Sequence, residues 1–231
     1  MSRTPRAALA CLLASLALPS LADPPHARQA ARDAALMARA SSTVRLVVAE
    51  VLRTHDQRGR PFAILDKTAA ALYVFEPGGR MAAATPVLLG LAKGDDSVPG
   101  IGERPLEQVR PSERTTPAGR FELEAGINTR GDRIFWVDYD AAVSMHPLRA
   151  IDASERRHQR IATRSAADNR ISFGCINVPT AFFDRVITAS FGRGASARDR
   201  GAFYVLPETR TLAEVFPRFA VPATLASRAS P

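Results

Sequence analysis

The residues best suited to chemistry lie in the stretch NRISFGCINVP, residues 169–179. This stretch holds Cys175, and the chain has only one other cysteine, Cys11. A cysteine acts as a nucleophile when a base takes its proton and when donors stabilise the oxyanion that its attack creates. A buried, inert cysteine is the structural alternative. A catalytic Cys175 therefore needs a base and oxyanion donors elsewhere in the sequence.

The sequence offers candidates for both roles. His146 is predicted at the end of a strand, where its side chain can face a cleft and act as the base, although a satisfied core histidine is the alternative. Gly174 allows a tight turn that brings peptide N–H groups close to a substrate carbonyl. A helix that begins near Pro179 would turn its positive end towards Cys175. Ser172 could hydrogen-bond nearby backbone or an imidazole.

The motif SFGCIN, residues 172–177, resembles the catalytic signature of the YkuD-type L,D-transpeptidases. That signature is a histidine, a spacer, and then Ser/Thr-His-Gly-Cys-hydrophobic-Asn/Arg. Residues 71–90 resemble the opening hairpin of this family, and TTPAGRFEL, residues 115–123, resembles its Thr-Pro-x-Gly-x-Phe segment. The resemblance covers about residues 60–207, and its parts follow the order found in the family.

The resemblance implies a mainly β (α+β) fold, a YkuD-like β-sandwich catalytic domain with N-terminal helices and a helix after Cys175. It also implies acyl transfer, in which Cys175, helped by His146, forms a thioester with a peptidoglycan tetrapeptide stem and passes it to an amine. Ser172, Gly174 and Asn177 would then bind substrate or hold the oxyanion. Ser172 and Asn177 could equally be plain turn and cap residues.

The sequence departs from the family pattern in two ways. Phe173 stands where the family usually has a histidine, which affects how the thiol is oriented and how the pocket recognises its substrate. His146 lies 29 residues before Cys175, a longer gap than usual, so the charged region 151–168 is interpreted as an insertion. His158, 17 residues before Cys175, is nearer the usual spacing, but its context ERRHQR is typical of a solvated surface.

Short apolar runs predict the strands that position these residues. These runs are 61–66, 71–75, 81–90, 120–126, 133–140, 141–147 and 202–207, and residues 171–178 form a further short apolar segment. Helices are predicted at 26–40, at 42–52 with Ser41 or Ser42 as N-cap, within 151–170 and at 179–191. Residues 92–118 are rich in glycine and proline and predict a long irregular loop, either functional or mobile. Arg170, next to the motif, is expected to be solvated.

The N-terminal residues predict a secretory signal peptide over residues 1–22, with a basic head, an apolar run and a small-residue cleavage site. Its apolar run is too short to span a membrane. We therefore expect an exported, for example periplasmic, protein. Cleavage would remove Cys11 and leave Cys175 as an odd cysteine. In an exported protein, an odd cysteine indicates either a free, reactive thiol or a disulfide to another molecule. The remaining predicted units are a helical segment (23–58), the catalytic domain (59–210) and a C-terminal tail (211–231).

The charge pattern restricts the choice of partners. The net charge is +8, but the basic residues are scattered, without a Lys/Arg block or interleaved aromatics, so we expect no nucleic acid as partner. Peptidoglycan stem peptides remain the expected partner. We expect no cofactor, no metal and no membrane span after signal cleavage, and the oligomeric state stays open. The acceptor also stays open: a stem amine, water (a hydrolase or amidase) or a protein amine. Phe173 favours a further alternative, a non-catalytic cell-wall-binding homologue.

Overall fold

The computed structural model describes residues 34–35, 37–150, 152–192 and 200–220, so the predicted signal peptide and the last eleven residues lie outside the described part. The strands are β1 Phe62–Asp66, β2 Ala71–Phe75, β3 Met81–Pro86, β4 Leu89–Gly90, β5 Gly119–Ile127, β6 Arg133–Asp138, β7 Val143–Pro147, β8 Arg170–Ser172, β9 Ile176–Val178 and β10 Gly201–Val205. The helices are α1 Ser42–Thr54, α2 Arg157–Ala162, α3, which runs through Thr180–Phe182, the π-helical turn Phe183–Ile187 and Thr188–Phe191, and α4 Leu212–Val215.

Eight of these strands form one sheet in the order β3-β2-β1-β10-β5-β6-β7-β9, and β4 pairs with β8 in a second, two-stranded sheet. Neighbours in the large sheet are antiparallel except for two parallel pairs. One is β1–β10, in which Phe62 lies opposite Ala202, and the other is β7–β9, in which His146 lies opposite Asn177. The mainly β fold predicted from the sequence is confirmed.

The large sheet curls until its two ends meet. The segment that follows β3 at one end reaches β9 at the other, where Leu88 and Asn177 each donate a backbone N–H to the carbonyl of the other, at 3.0 and 2.9 Å. The two halves of the sheet therefore face each other across one core, as in the predicted sandwich.

Side chains alternate between two buried faces along the central strands, which explains why these strands are apolar without interruption. One face lines the inner core, defined here by Leu65, Leu72, Val74, Leu123, Phe135, Met145, Ile176, Phe183, Phe203 and Val205. The other face forms the outer core with α1 and the C-terminal residues, namely Val44, Val47, Val51, Phe62, Ile64, Tyr73, Phe75, Tyr204, Leu212 and Phe216.

Helix α1 covers the outer face of β1, β2 and β10 with a stripe of valines at helical spacing. Ser41 is its N-cap, because its side chain accepts a hydrogen bond from the Val44 N–H at 3.1 Å. The helix ends at His55, which adopts a left-handed conformation with φ of 52°. The helix predicted at 42–52 is thus confirmed, and Ser41 is the residue that caps it.

Three predicted elements are shorter or broken. The run 171–178 is interrupted between β8 and β9, where Gly174 has a positive φ of 130°, a conformation that favours glycine and allows the tight turn expected there. The run 81–90 is split into β3 and β4 because the chain leaves the large sheet there to pair with β8. The charged region after residue 151 holds a 3-10 turn at Ala153–Glu155 and the short helix α2, which are separated by the left-handed Arg156.

Residues at the C-terminal end of the described chain also pack against the sheet. Leu212 and Phe216 are 4% exposed and belong to the outer core, and Glu50 of α1 accepts a hydrogen bond from the Ala220 N–H at 2.8 Å. Within the described residues, no helix combines the length and the apolar character needed to cross a membrane.

The N-cap assignment gives a first prediction. Replacing Ser41 with alanine removes the acceptor for the Val44 N–H and should lower the free energy of unfolding by about 1 kcal/mol. Ser42→Ala, one residue further on, is the matched control and should change it by less than about 0.5 kcal/mol. Urea unfolding followed by circular dichroism measures both, and equal effects of the two substitutions would contradict the assignment.

Candidate active site

Cys175 lies in the turn between β8 and β9 and is half-exposed. Its Sγ–H points to the carbonyl oxygen of Ala142 at 3.7 Å, and the Ser144 hydroxyl lies at the same distance from Sγ. Both neighbours come from the region where β6 turns into β7. Among the described residues the sulfur has no disulfide partner, and it is not sealed within the hydrocarbon core.

Ser172 and Asn177 fix the backbone around Cys175. The Ser172 hydroxyl accepts the Gly174 N–H at 3.1 Å and donates to the Cys175 carbonyl at 2.6 Å. The Asn177 side-chain amide donates to the same carbonyl at 3.3 Å. The Gly174 N–H is thus already used. Among the described residues the Cys175 N–H has no acceptor, so it is the amide of this turn that is available to an oxyanion.

Gly174 and the segment TTPAGRFEL meet directly. A Cβ on Gly174 would lie 2.6 Å from the Thr115 carbonyl oxygen, closer than real Cβ atoms approach. The Thr116 hydroxyl donates to the Gly174 carbonyl at 2.8 Å and accepts the Gly90 N–H at 3.0 Å. The two sequence segments that carry the resemblance are therefore in contact, and only glycine fits between them.

His146 lies on the same face of the sheet as the sulfur. Ser144 and His146 are two residues apart on β7, so they share a face, and Ser144 is the residue that contacts the sulfur. His146 lies opposite Asn177 in the β7–β9 ladder, and Asn177 is two residues after Cys175. Its Nδ1 is 2.9 Å from the Pro147 carbonyl oxygen. Because a carbonyl oxygen only accepts, Nδ1 carries the proton of the neutral ring, and Nε2 is left as the basic nitrogen.

The environment of His146 keeps its ring neutral. Burial lowers the pKa of His146 below the usual histidine value, since it disfavours the charged form. The hydrogen bond to Pro147 and the carboxylate of Asp132 act in the opposite direction, whereas the nearby Arg149 and Arg157 lower the pKa further. His146 is therefore held in the form that can accept a proton at neutral pH.

Arg157 is a site residue that the sequence did not indicate. It is only 9% exposed, and its Nη1 donates to the Asn177 side-chain oxygen at 2.7 Å. It lies in the charged stretch ERRHQR, where nothing marks it out from its neighbours. His158, the next residue, is exposed on the solvent side of α2.

Helix α3 does not supply the positive end that the sequence suggested. Strand β9 and the N-cap Pro179 separate Cys175 from Thr180, and each extended residue advances the chain by about 3.3 Å. The field of a helix terminus is felt within about one turn. Positive potential near Cys175 therefore has to come from side chains.

One such side chain is Arg114, which stacks on Phe173. The guanidinium carbon of Arg114 lies 3.8 Å from the centroid of the Phe173 ring, and both side chains are half-buried. Phe173 immediately precedes Gly174 and Cys175. A cation is therefore held against the ring of a residue that is two positions before Cys175.

A buried group of charged side chains contacts the segment that packs against the active-site turn. It consists of Lys67, Asp95, Arg170 and Glu208, all with less than 10% of their side chains exposed. Lys67 pairs with Asp95 at 2.7 Å, and Arg170 pairs with Glu208. The expectation that Arg170 is solvated was wrong. Arg170 is buried together with its partner Glu208, which lies 38 residues further along the chain and could not be recognised from local sequence.

The same charges connect the loop 92–118 to the active-site turn. Lys67 Nζ donates to the Thr116 carbonyl at 2.8 Å, and Thr116 holds Gly174 through its hydroxyl. Asp95 accepts hydrogen bonds from the N–H groups of residues 208–210, with distances of 2.6–2.9 Å. These bonds, with that from Lys67, outweigh the effect of burial and hold the pKa of Asp95 well below its usual range. The loop is thus fixed at its start and its end.

A metal centre is not indicated by the described ranges, in which no three histidine, cysteine or carboxylate side chains come together as a possible ligand group. The groups in contact with Cys175 or its turn are the hydroxyls of Ser144 and Ser172, the Ala142 carbonyl and the Asn177 amide. Nucleophilic acyl transfer by a cysteine needs a base and an oxyanion donor near such a thiol.

Solved structures similar to this chain include two L,D-transpeptidases and a cell shape determining protein. They are the catalytic domain of an L,D-transpeptidase from E. faecium (18% identity, 64% of this chain and 98% of that chain, TM-score 0.35), the helical cell shape determining protein Pgp2 from Campylobacter jejuni (17%, 64% and 48%, 0.39), and the L,D-transpeptidase LdtMt1 in complex with imipenem (16%, 63% and 58%, 0.35). This chain thus spans about half the length of the latter two. No family model and no curated protein matches the sequence.

Two of these structures are L,D-transpeptidases, the class that the sequence motif resembles. Their sequence identities to this chain are below 20% and their TM-scores are below 0.5.

The contact between Gly174 and Thr115 gives a second prediction. Gly174→Ala should lower the free energy of unfolding by about 3 kcal/mol or more, because the new Cβ combines a disfavoured φ with a clash against a carbonyl oxygen. Gly131→Ala is the matched control, since Gly131 also has a positive φ, of 82°, but has open space around its Cα. It should cost only about 1 kcal/mol. Urea unfolding compares the two, and equal losses would argue against tight packing at Gly174.

Proposed function

We propose that this protein is a cysteine acyltransferase of the L,D-transpeptidase type that acts on peptidoglycan stem peptides outside the cytoplasm. The proposal joins the resemblance of the motif SFGCIN to the chemistry of the groups around Cys175. Export follows from the predicted signal peptide, and the substrate class follows from the family that the motif resembles.

One juxtaposition carries the proposal. Cys175 is half-exposed at the edge of the sheet, and His146 lies on the same face of the neighbouring strand with Nε2 free to accept a proton. The mechanism requires the thiol, the base and an oxyanion donor within one cleft. The Cys175 N–H is the proposed oxyanion donor.

In the first half of the proposed reaction, Cys175 gives its proton to Nε2 of His146. The thiolate then attacks the carbonyl carbon of the third residue of a tetrapeptide stem, and the Cys175 N–H stabilises the oxyanion. When the intermediate collapses, the C–N bond breaks and the imidazolium protonates the departing amine of the terminal D-alanine. A thioester on Cys175 remains.

In the second half, an amine of another stem attacks the thioester carbonyl and gives a proton to His146. The new C–N bond forms as the C–S bond breaks, and the proton held by the imidazolium returns to the sulfur. The product is a cross-link between third residues. Water in place of the amine would release a shortened stem, and the enzyme would then be a hydrolase.

Ser172, Asn177 and Arg157 act as positioning residues in this proposal. Ser172 and Asn177 hold the Cys175 carbonyl, and Arg157 holds the amide of Asn177. With that carbonyl fixed, the N–H and the sulfur of Cys175 are presented to the substrate in a constant orientation. Gly174 permits the turn and does not donate to the oxyanion.

Incubation with tetrapeptide muropeptides, followed by mass spectrometry, tests the function. The wild-type protein should accumulate a thioester adduct on Cys175 and produce cross-linked dimers, and Cys175→Ser should produce neither. His146→Ala should slow thioester formation by about 10²- to 10⁴-fold, the usual range for a general base. His158→Ala is the matched control and should leave the rate unchanged, because that ring is exposed on α2.

The same experiment separates the alternatives. Shortened stems without dimers would indicate a hydrolase that uses the same cysteine. If no adduct forms, alkylation of Cys175 by iodoacetamide, mapped by peptide mass spectrometry, distinguishes the remaining possibilities. Fast alkylation at neutral pH that slows in His146→Ala retains an enzymatic site. Slow alkylation that is indifferent to His146 would indicate a non-catalytic cell-wall-binding protein.

The lowered pKa of His146 predicts the pH dependence of the reaction. Because neutral His146 is the base, the rate falls as the pH drops through its pKa, which lies below the ordinary histidine value of about 6.5. The acid limb of kcat/KM for thioester formation should therefore have its midpoint below pH 6.5. A midpoint at or above that value would contradict the assignment of His146 as a buried, neutral base.

A further inference from the structure

The stacked pair Arg114 and Phe173 has no role in the mechanism described so far. Arg114 is fixed on two sides, because its guanidinium lies on the Phe173 ring and its Nε and Nη2 both donate to the Val109 carbonyl at 3.2 Å. Guanidinium groups stack on aromatic faces readily because they are planar and weakly hydrated. The charge is thus held in one place beside the active-site turn.

This charge has no carboxylate partner among the described residues. The neighbouring Glu113 is engaged by other arginines, since it accepts from Arg104 at 3.2 Å and from Arg110 at 2.8 Å. The Nη1 group of Arg114 has no acceptor within the described chain. The edge formed by Nη1 and Nη2 therefore remains open to a ligand with two oxygens.

We propose that Arg114, supported by Phe173, binds a carboxylate of the acyl-donor peptide while Cys175 attacks the peptide carbonyl of that donor. This inference rests on the proposed function and names a recognition group for its substrate. A fixed guanidinium presents two parallel N–H donors, which match the two oxygens of a carboxylate. A tetrapeptide donor has a terminal carboxylate one residue beyond the bond that is cleaved. The residue that is attacked can carry a second carboxylate in its side chain.

The inference gives Phe173 a specific role. An imidazole at this position would itself be a hydrogen-bonding or titrating group, whereas a phenyl ring provides only an apolar face. That face supports the guanidinium without forming a hydrogen bond to it, so the edge formed by Nη1 and Nη2 stays available to oxygen ligands. Arg114 precedes Thr115, whose carbonyl packs against Gly174, so the guanidinium and the turn are also connected through the backbone.

The test compares donors that differ in one charge. Thioester formation is measured by mass spectrometry with a tetrapeptide stem, with the same stem amidated at its C-terminus, and with the stem amidated at its third side chain. Arg114→Gln should lower kcat/KM for the unmodified donor by about 10- to 100-fold, the range for a charge-assisted pair. For one of the two amidated donors, Arg114→Gln should change kcat/KM by less than about twofold, because that donor already lacks the carboxylate that Arg114 binds. The position of the amide in that donor therefore shows which carboxylate is bound.

Control variants separate recognition from folding and charge. Arg53→Gln removes the same charge from an exposed side chain at the end of α1 and should leave every rate unchanged. Arg114→Lys keeps the charge but not the paired donors, so it should restore only part of the rate. Phe173→Leu removes the aromatic face and should lower the rate for the unmodified donor more than for the amidated one. Equal losses with all three donors in Arg114→Gln would show that the stack is only structural and would overturn the proposal.

A binding measurement keeps this inference distinct from the proposed function. In the full-length Cys175→Ala variant no thioester can form, and calorimetry reports the affinity for the same three peptides. A loss of about tenfold or more on adding Arg114→Gln, confined to peptides with the recognised carboxylate, supports the inference even if the wild-type protein forms no thioester. Binding that is absent, or unaffected by Arg114→Gln, overturns it even if thioester formation is observed.

Discussion

The backbone pair between Leu88 and Asn177 is the constraint on which the rest of the structure depends. By exchanging two hydrogen bonds, these residues join the segment that leaves β3 to the last strand of the sheet. The sheet is thereby closed around its inner core, and the start of β9 is fixed in space. Cys175 lies two residues before Asn177, so the same pair sets where the thiol lies. His146 follows, because it faces Asn177 across the β7–β9 ladder.

A second constraint comes from charges buried behind the motif. Lys67, Asp95, Arg170 and Glu208 lose their hydration, a cost that only well-formed hydrogen bonds can offset. Here Lys67 binds the carboxylate of Asp95 and the carbonyls of residues 94 and 116. Replacing one member would leave the others charged and unpaired. This group explains how a loop of glycines and prolines can hold a defined position against the active-site turn.

The sequence predicted those features that local pattern encodes. Continuous apolar runs identified the central strands, and the serines before a valine stripe identified α1. It did not reveal features that depend on contacts between distant segments. Arg170 is buried in an ion pair with Glu208, and Arg157 is buried where it donates a hydrogen bond to the side chain of Asn177. The tight turn expected at Gly174 is present, since this glycine has a positive φ and divides the short apolar segment 171–178 into β8 and β9.

The parallel pairing of β1 with β10 has a consequence for how the chain folds. Phe62 and Ala202 are neighbours in the middle of the sheet although they are roughly 140 residues apart in sequence. Such non-local contacts raise the contact order and slow folding, because the loop between them must be closed before the contact is gained. A nascent chain that ends before β10 leaves one edge of β1 without its partner. Acquisition of the native state therefore waits until nearly all of the polypeptide is present, and a truncated product would expose an unpaired, aggregation-prone strand edge.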